Sequence, residues 1–260
     1  MRDIDQYERD YLQDDHDFER YQVRYRRKKV LELYENLPSE HVLEIGCGME
    51  PLFHFVPQDS FSRWVVVEPA DAFYNAACQA AAGDERIACV HQFFSEDDKV
   101  VTACFGYLEG TFDLVVCTSL LHELENPASL LRGIQKLCSP ATRVLLNVPN
   151  ADSLHRLLGM RSGYIADPHA MTERNQTYQQ HQVFDRASLT TLLEQTGFVV
   201  EETGTFFIKP FTHRQMELCL EHHIIDEQVL DGFYRLSGDL PDMGSELYAI
   251  CRPAHAAGQS

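Results

Sequence analysis

Glu44, Gly46, Cys47 and Gly48 carry the densest chemical signal in the chain, at the end of the apolar run Val42-Leu43-Glu44-Ile45. A strand over 41–45 that runs into two glycines one residue apart predicts a tight turn that a Cβ would obstruct. The Glu44 carboxylate then stands at the carboxyl end of a strand, where open parallel sheets bind small ligands. A dinucleotide turn carries a third glycine and holds a pyrophosphate at the following helix N-terminus. Here the chain continues Met49-Glu50-Pro51, so that glycine is missing and an acid occupies the turn. An acid repels a pyrophosphate and favours a cation, so the loop suits a positively charged nucleoside better than two phosphates. About twenty positions on, Glu68 closes the run Trp64-Val65-Val66-Val67 and precedes Pro69, the place from which an acid accepts hydrogen bonds from ribose hydroxyls.

Two histidines have the chemistry of a general base. His122 lies in Leu120-Leu121-His122-Glu123-Leu124, directly after the run Phe112-Asp113-Leu114-Val115-Val116, and imidazole exchanges a proton near neutral pH. It is either such a base or part of a pocket wall, with Glu123 orienting it or reaching solvent. His181 is an alternative base, in a polar stretch that also holds His169, Thr172, Glu173, Asn175 and Gln182. Arg174 in that stretch suits a phosphate or carboxylate in a two-pronged hydrogen bond, and Tyr178 and Asn150 are further candidates for acceptor contact. Lys209 in Phe206-Phe207-Ile208-Lys209-Pro210-Phe211 is a weaker candidate for the same pocket. No residues have metal-ligand spacing; His222 and His223 are adjacent and diverge from a helix.

The elements that must position these groups alternate in type. Strands are predicted at 41–45, 64–68, 86–92, 111–117, 143–150, 198–208 and 246–251, with helices at 70–81, 127–137 and 185–195, the last capped by Asp185. Strand–helix alternation implies a parallel sheet covered on both faces. In sum the chain resembles the class I S-adenosylmethionine-dependent methyltransferases. The resemblance rests on Val42 to Gly48, Glu68, the Phe112 to Pro127 segment and Val148-Pro149-Asn150, and covers about 42–150; Glu50 departs from the family's last glycine. It implies a Rossmann-like α/β fold with a mostly parallel seven-stranded sheet whose last strand inserts antiparallel. It also implies S-adenosylmethionine as cofactor, held by Glu44, Gly46, Cys47, Gly48, Glu68 and Pro69, with Ser119 and Leu120 behind it. The adenine lies against Phe93 or Phe94, unless both are plain core residues.

Residues 1–40 are read as an N-terminal helical lid, with Tyr21, Tyr25, Val30, Leu31 and Tyr34 at helical spacing; packing on the sheet edge is the other reading. A domain follows over 41–253, interrupted by insertions at about 151–184 and 210–243, with a flexible tail at 254–260. The insertions leave the ligand side of the sheet and are assigned to substrate recognition, because long connections in compact domains are mostly functional.

Composition narrows the partners. The formal net charge is −18, from 40 acids against 22 bases, and nucleic acid needs the opposite balance. Anionic membranes are disfavoured for the same reason, and no apolar run reaches membrane-spanning length. The charged start Met1-Arg2-Asp3 is not read as a signal peptide, and the eight cysteines are scattered, as in a reduced cytoplasmic protein. The expected function is methyl transfer to an O or N atom of a polar small molecule. A sugar, a nucleotide-sugar or a related metabolite of surface-polysaccharide or natural-product biosynthesis fits best. The alternatives are a non-catalytic cofactor-binding protein, an NAD-type oxidoreductase and a protein methyltransferase; a homodimer is compatible with the sequence.

Overall fold

The computed structural model describes residues 3, 4, 6, 9, 18–107 and 111–254. Most of the expected lid before residue 18, and the tail after 254, lie outside the described residues. The elements that bear on the site are helix α1 (Glu19–Tyr34), β1 (His41–Ile45), β2 (Arg63–Val67), α2 (Asp71–Ala80), β3 (Ile87–Val90) and α3 (Asp98–Phe105). They continue as β4 (Phe112–Thr118), α4 (Pro127–Leu137), β5 (Cys138–Pro149), α5 (Leu154–Arg161), α6 (Glu173–Thr177) and α7 (Arg186–Gln195). β6 (Phe198–Phe206), α8 (His213–Glu221), α9 (Glu227–Leu236) and β7 (Glu246–Pro253) complete the chain.

The strands form one seven-stranded sheet in the order β3-β2-β1-β4-β5-β7-β6. Pairing is parallel from β3 through β5, and β7 runs antiparallel to both of its neighbours. Alternate side chains fall on opposite faces. Leu43, Ile45, Val65 and Val67 pack with α3, α4 and α7 on one side. Val42, Trp64, Val66 and Leu114 pack with α1, α2, α8 and α9 on the other. Burial on both faces explains why the central strands read as continuous apolar runs.

Two strands end two residues before the sequence expectation, and β5 begins five residues before it, at Cys138. β3 stops at Val90 rather than 92, because His91 leaves the ladder to contact the Pro69 carbonyl at 3.1 Å and stack on Tyr74 at 4.4 Å. β6 stops at Phe206 rather than 208, because Phe207 adopts φ +57°. A bulky residue in that region is costly and needs support from its surroundings. Here the Phe207 ring stacks on Tyr25 at a centroid distance of 4.4 Å. Each insertion carries two helices: α5 and α6 in the first, α8 and α9 in the second.

Candidate active site

The glycine turn forms as the residue types require. Gly46 has φ +75° and Gly48 φ +59°, both left-handed, where L side chains are strained. Gly46 N donates to the Val67 carbonyl at 2.9 Å, which ties the turn to the end of β2. A Cβ built on Gly48 would meet nothing within 4 Å, so this side of the turn is open. Glu68 is buried beside it. Its Oε1 accepts from Ala70 N at 2.9 Å and its Oε2 from Gly48 N at 3.4 Å. Burial raises its pKa above the ordinary carboxylate value, against the pull of these backbone donors.

Glu44 sits under the turn with both oxygens engaged: Oε1 accepts from Leu52 N at 2.9 Å and Oε2 from Trp64 Nε1 at 3.0 Å. It borders the cavity, yet its hydrogen bonds shape the loop that follows the glycines. Burial outweighs the two bonds and raises its pKa to about 7. The charge of Glu50 is met from α1, where Arg27 bonds its carboxylate at 2.5 Å and lies 3.9 Å above the Phe55 ring. The acid that replaces the third glycine therefore anchors the helix over the turn.

Ser119, one residue past β4, has φ +54° and donates its N–H to the Asn147 carbonyl at 2.9 Å. That strained residue places Leu120 3.4 Å from where a Gly46 Cβ would be. Leu121, His122 and Glu123 then form one 3₁₀ turn. His122 is 2% exposed, with Nε2 3.9 Å from Glu123 Oε1. Both residues line one cavity of about 1140 Å³ with Gly46, Cys47, Glu68 and Pro69. Ser119, Leu120, Phe93, Phe94, Arg174 and Tyr178 line it too. Of the aromatic pair, Phe93 is 40% exposed, while Phe94 packs against the core.

Two expected residues serve otherwise: His181 lies outside the cavity wall, while Asn150 lines the cavity with its polar atoms bonded to the fold. The His181 side chain is exposed and outside the cavity wall; it joins the site only by donating its backbone N–H to the His122 carbonyl at 2.9 Å. It is not placed to act as a base there. The side chain of Asn150 is committed to the fold. Its Nδ2 donates to the carbonyls of Asp242 and Gly244, at 3.1 and 2.9 Å, and its Oδ1 accepts from Asp152 N at 3.0 Å. Arg174 does face the cavity, held 3.3 Å from Glu19 and 4.8 Å above the Tyr178 ring.

A buried polar cluster at the far end of the cavity was missed at the level of sequence, apart from Lys209. Its core is Glu246, the first residue of β7, whose Oε1 accepts from Arg26 at 2.7 Å and Gln22 at 2.9 Å. Asn147 donates to its Oε2 at 2.5 Å. Beside this, Glu19 lies 3.0 Å from His213 Nε2, and His213 Nδ1 lies 3.2 Å from Lys209 Nζ. Burial alone would raise Glu19, but the His213 contact and the charges of His213, Arg26 and Arg174 hold it well below the carboxylate range. Burial drives His213 down to about 4, helped by the Lys209 charge. The imidazole is thus neutral, with its proton assigned to the nitrogen facing Glu19. Burial also lowers Lys209 to about 7. Two signals were available in the sequence. Glu19, Gln22 and Arg26 are spaced three and four apart on one helix face, and Glu246 is an acid opening an apolar strand.

The family described as methyltransferase domain matches residues 18–203. A polyketide synthase–nonribosomal peptide synthetase from Pyricularia grisea is 26% identical over 134 residues. The match covers 50% of this chain and 3% of that protein, so the chain spans a small fraction of the relative's length. The N-methyltransferase NodS from Bradyrhizobium japonicum WM9, solved with S-adenosyl-L-homocysteine, superposes with a TM-score of 0.54 at 16% identity. That superposition covers 96% of this chain and 97% of NodS. An S-adenosylmethionine-dependent methyltransferase from Mesorhizobium loti gives 0.53 at 15% identity, covering 83% and 92%. These superpositions establish the fold, and the family match spans more than half of the chain. The chain belongs to the methyltransferase-domain family, as a class I S-adenosylmethionine-dependent methyltransferase with S-adenosylmethionine as its cofactor.

Proposed function

We propose that this enzyme methylates an O or N atom of a polar small molecule, of the class of sugars, nucleotide-sugars and related metabolites. The observation that carries the reading is the cavity wall. About 1140 Å³ is bordered by the glycine turn at one end and by charged, buried side chains at the other. That exceeds the range of about 300–1,000 Å³ usual for one ligand and leaves room for an acceptor beside a cofactor. α1, α5, α6 and the segment before α8 contribute to the wall, which favours an enclosed small acceptor over an extended peptide. The kinship with a polyketide and peptide synthetase supports a role in natural-product chemistry. Eight free thiols with no disulfide support a cytoplasmic setting.

The residues suit the cofactor. The open face at Gly48 gives a ligand close approach to the backbone, and Glu68 stands beside it to accept from ribose hydroxyls. Phe93 presents an exposed ring on the same wall for an adenine. When bound, S-adenosylmethionine supplies a methyl group already activated on a sulfonium. The chain's own task is alignment and exclusion of water. Ser119 and Leu120 fix the floor between the turn and the acceptor, and Glu123 faces the ring of His122. His122 is the residue we assign to accept a proton where the acceptor loses one.

Calorimetric titration with S-adenosylhomocysteine, with NAD in parallel, tests the cofactor half. Micromolar binding of the first alone is expected, and binding of NAD alone refutes it. A methyl-transfer screen over nucleotide-sugars, amino sugars and small polyketide acids tests the acceptor half, and transfer only to proteins or peptides overturns it.

A further inference from the structure

Three groups at the far end of the cavity are left over by the chemistry above: Lys209, His155 and His213. Lys209 is 2% exposed; its Nζ lies 3.2 Å from His213 Nδ1 and 5.9 Å from the Phe18 ring, with Glu19 and Glu246 in electrostatic reach. The neighbouring carboxylates are engaged elsewhere, Glu19 with His213 and Arg174 and Glu246 with Arg26. His155, on the first turn of α5, also lines the cavity, and its Nδ1 is buried with no hydrogen-bond partner. Arg156 beside it donates to the Pro168 and Ala170 carbonyls, with Asp167 as the nearby acid. Glu173 and Arg214 stand exposed at the mouth. This end of the cavity is therefore rich in basic groups, in a chain whose net charge is −18.

Two roles compete for these groups: a base at the transferring methyl, or an anchor for the acceptor. Sheet order decides. β4, β5, β7 and β6 are successive neighbours. The chain leaves β6 three strand spacings, about 14 Å, from the tip of β4 where the cofactor loop lies. Lys209, three residues beyond β6, packs on the Glu19, His213 and Glu246 side of the cavity, which favours a grip on a part of the acceptor away from the reacting atom.

We propose that Lys209, His155 and His213 form an anion subsite, which holds a carboxylate or phosphate group of the acceptor while the methylated atom lies at the other end of the cavity. The proposal rests on the reading of the acceptor as a polar small molecule. It accounts for the weak basicity of the cluster. Burial and mutual repulsion hold Lys209 near 7 and both histidines low, with Arg26, Arg174 and Arg156 adding to the repulsion and Glu19 and Glu246 opposing it. An entering anion reverses that balance and draws a proton from solvent onto the cluster. Anion affinity is then constant below pH 7 and falls as pH rises above it, where the proton must be taken up.

The test uses the full chain saturated with S-adenosylhomocysteine, titrated calorimetrically with succinate and separately with inorganic phosphate. Titration at pH 8 in buffers of different ionisation enthalpy reads the proton uptake. Wild type is expected to bind at least one of the two anions and to take up close to one proton. Lys209→Met is expected to bind at least tenfold more weakly with no uptake, and Arg161→Gln, outside the cavity, to match wild type. Should Lys209→Met fail to fold, His155→Gln carries the same tenfold expectation. Preference for succinate marks a carboxylate acceptor, and preference for phosphate a phosphorylated one. Absence of anion binding while S-adenosylhomocysteine binds refutes the subsite alone, as does equal binding by the variants. Failure of S-adenosylhomocysteine itself to bind overturns the proposed function and the subsite together.

Discussion

Gly133→Ala is the substitution whose effect follows most directly from the coordinates. Gly133 is buried in the middle of α4, where it faces the loop after β3. A Cβ there would stand 2.5 Å from the Ser95 carbonyl oxygen, 2.8 Å from its carbon and 3.0 Å from Glu96 N. Ordinary contact lies near 3.5 Å, so helix and loop must part by about 1 Å. The loop cannot yield freely. Arg132 bonds both oxygens of Glu96 at 2.7 and 2.9 Å, and Lys136 bonds the Glu96 carbonyl at 2.7 Å. Overpacking of this kind costs about 1–3 kcal/mol. Alanine's better helix propensity returns up to about 1 kcal/mol, so a net loss means that the clash wins. For a chain of this size each kcal/mol lowers Tm by about 2–4 °C. The displaced residues directly follow Phe93 and Phe94 on the cavity wall. We therefore expect Gly133→Ala to lower Tm measurably and to weaken S-adenosylhomocysteine about tenfold by calorimetry. Gly232→Ala, in α9 with nothing within 4 Å of its Cβ, should match or exceed wild type in both assays. An unchanged Tm and an unchanged Kd for Gly133→Ala would refute the claim that α4 sets the position of the adenine wall.

Glu68→Ala should weaken S-adenosylhomocysteine by about 1–3 kcal/mol, the scale for a charge-assisted hydrogen bond; equal affinity by calorimetry removes Glu68 from the ribose site. Glu44 binds its proton more tightly in the folded chain, with a pKa of about 7 against an ordinary 4.5. Its contribution to stability is therefore full below about pH 4.5 and is lost as pH rises through 7. In urea melts from pH 5 to 8, wild type should lose on the order of 3 kcal/mol relative to Glu44→Gln, and parallel pH profiles would contradict the burial argument. Thr212 caps α8 by a reciprocal bond with Gln215, one residue before His213. Thr212→Ala should cost about 1 kcal/mol in the same melts, and no change would mean that the cap does not hold the helix end.

Much of the fold was legible because its strands are buried on both faces, which leaves runs such as Trp64-Val65-Val66-Val67 without polar interruption. The cofactor half of the cavity was legible for a local reason. Glu44, Gly46 and Gly48 are neighbours in sequence, glycine at positive φ leaves a trace, and Glu68 and Ser119 each close an apolar strand of their own. The far end left no such trace. Glu19, Lys209, His213 and Glu246 come from three separate segments, and their meeting depends on Phe207 ending β6 and on β7 inserting beside β5. His181 misled because polar density in a segment does not say which side chains turn inward, whereas a backbone hydrogen bond to His122 is indifferent to side-chain identity.

Helix α1 touches both ends of the cavity at once, through Arg27 on Glu50 of the glycine loop and through Glu19 beside His213. Those two positions are eight residues apart on one rod, about 12 Å along its axis. A rigid lever fastened at two places cannot lift at one without loosening the other. Ligands that tighten α1 at the two ends are therefore expected to favour one another's binding, and by linkage that gain in affinity is the same in both directions.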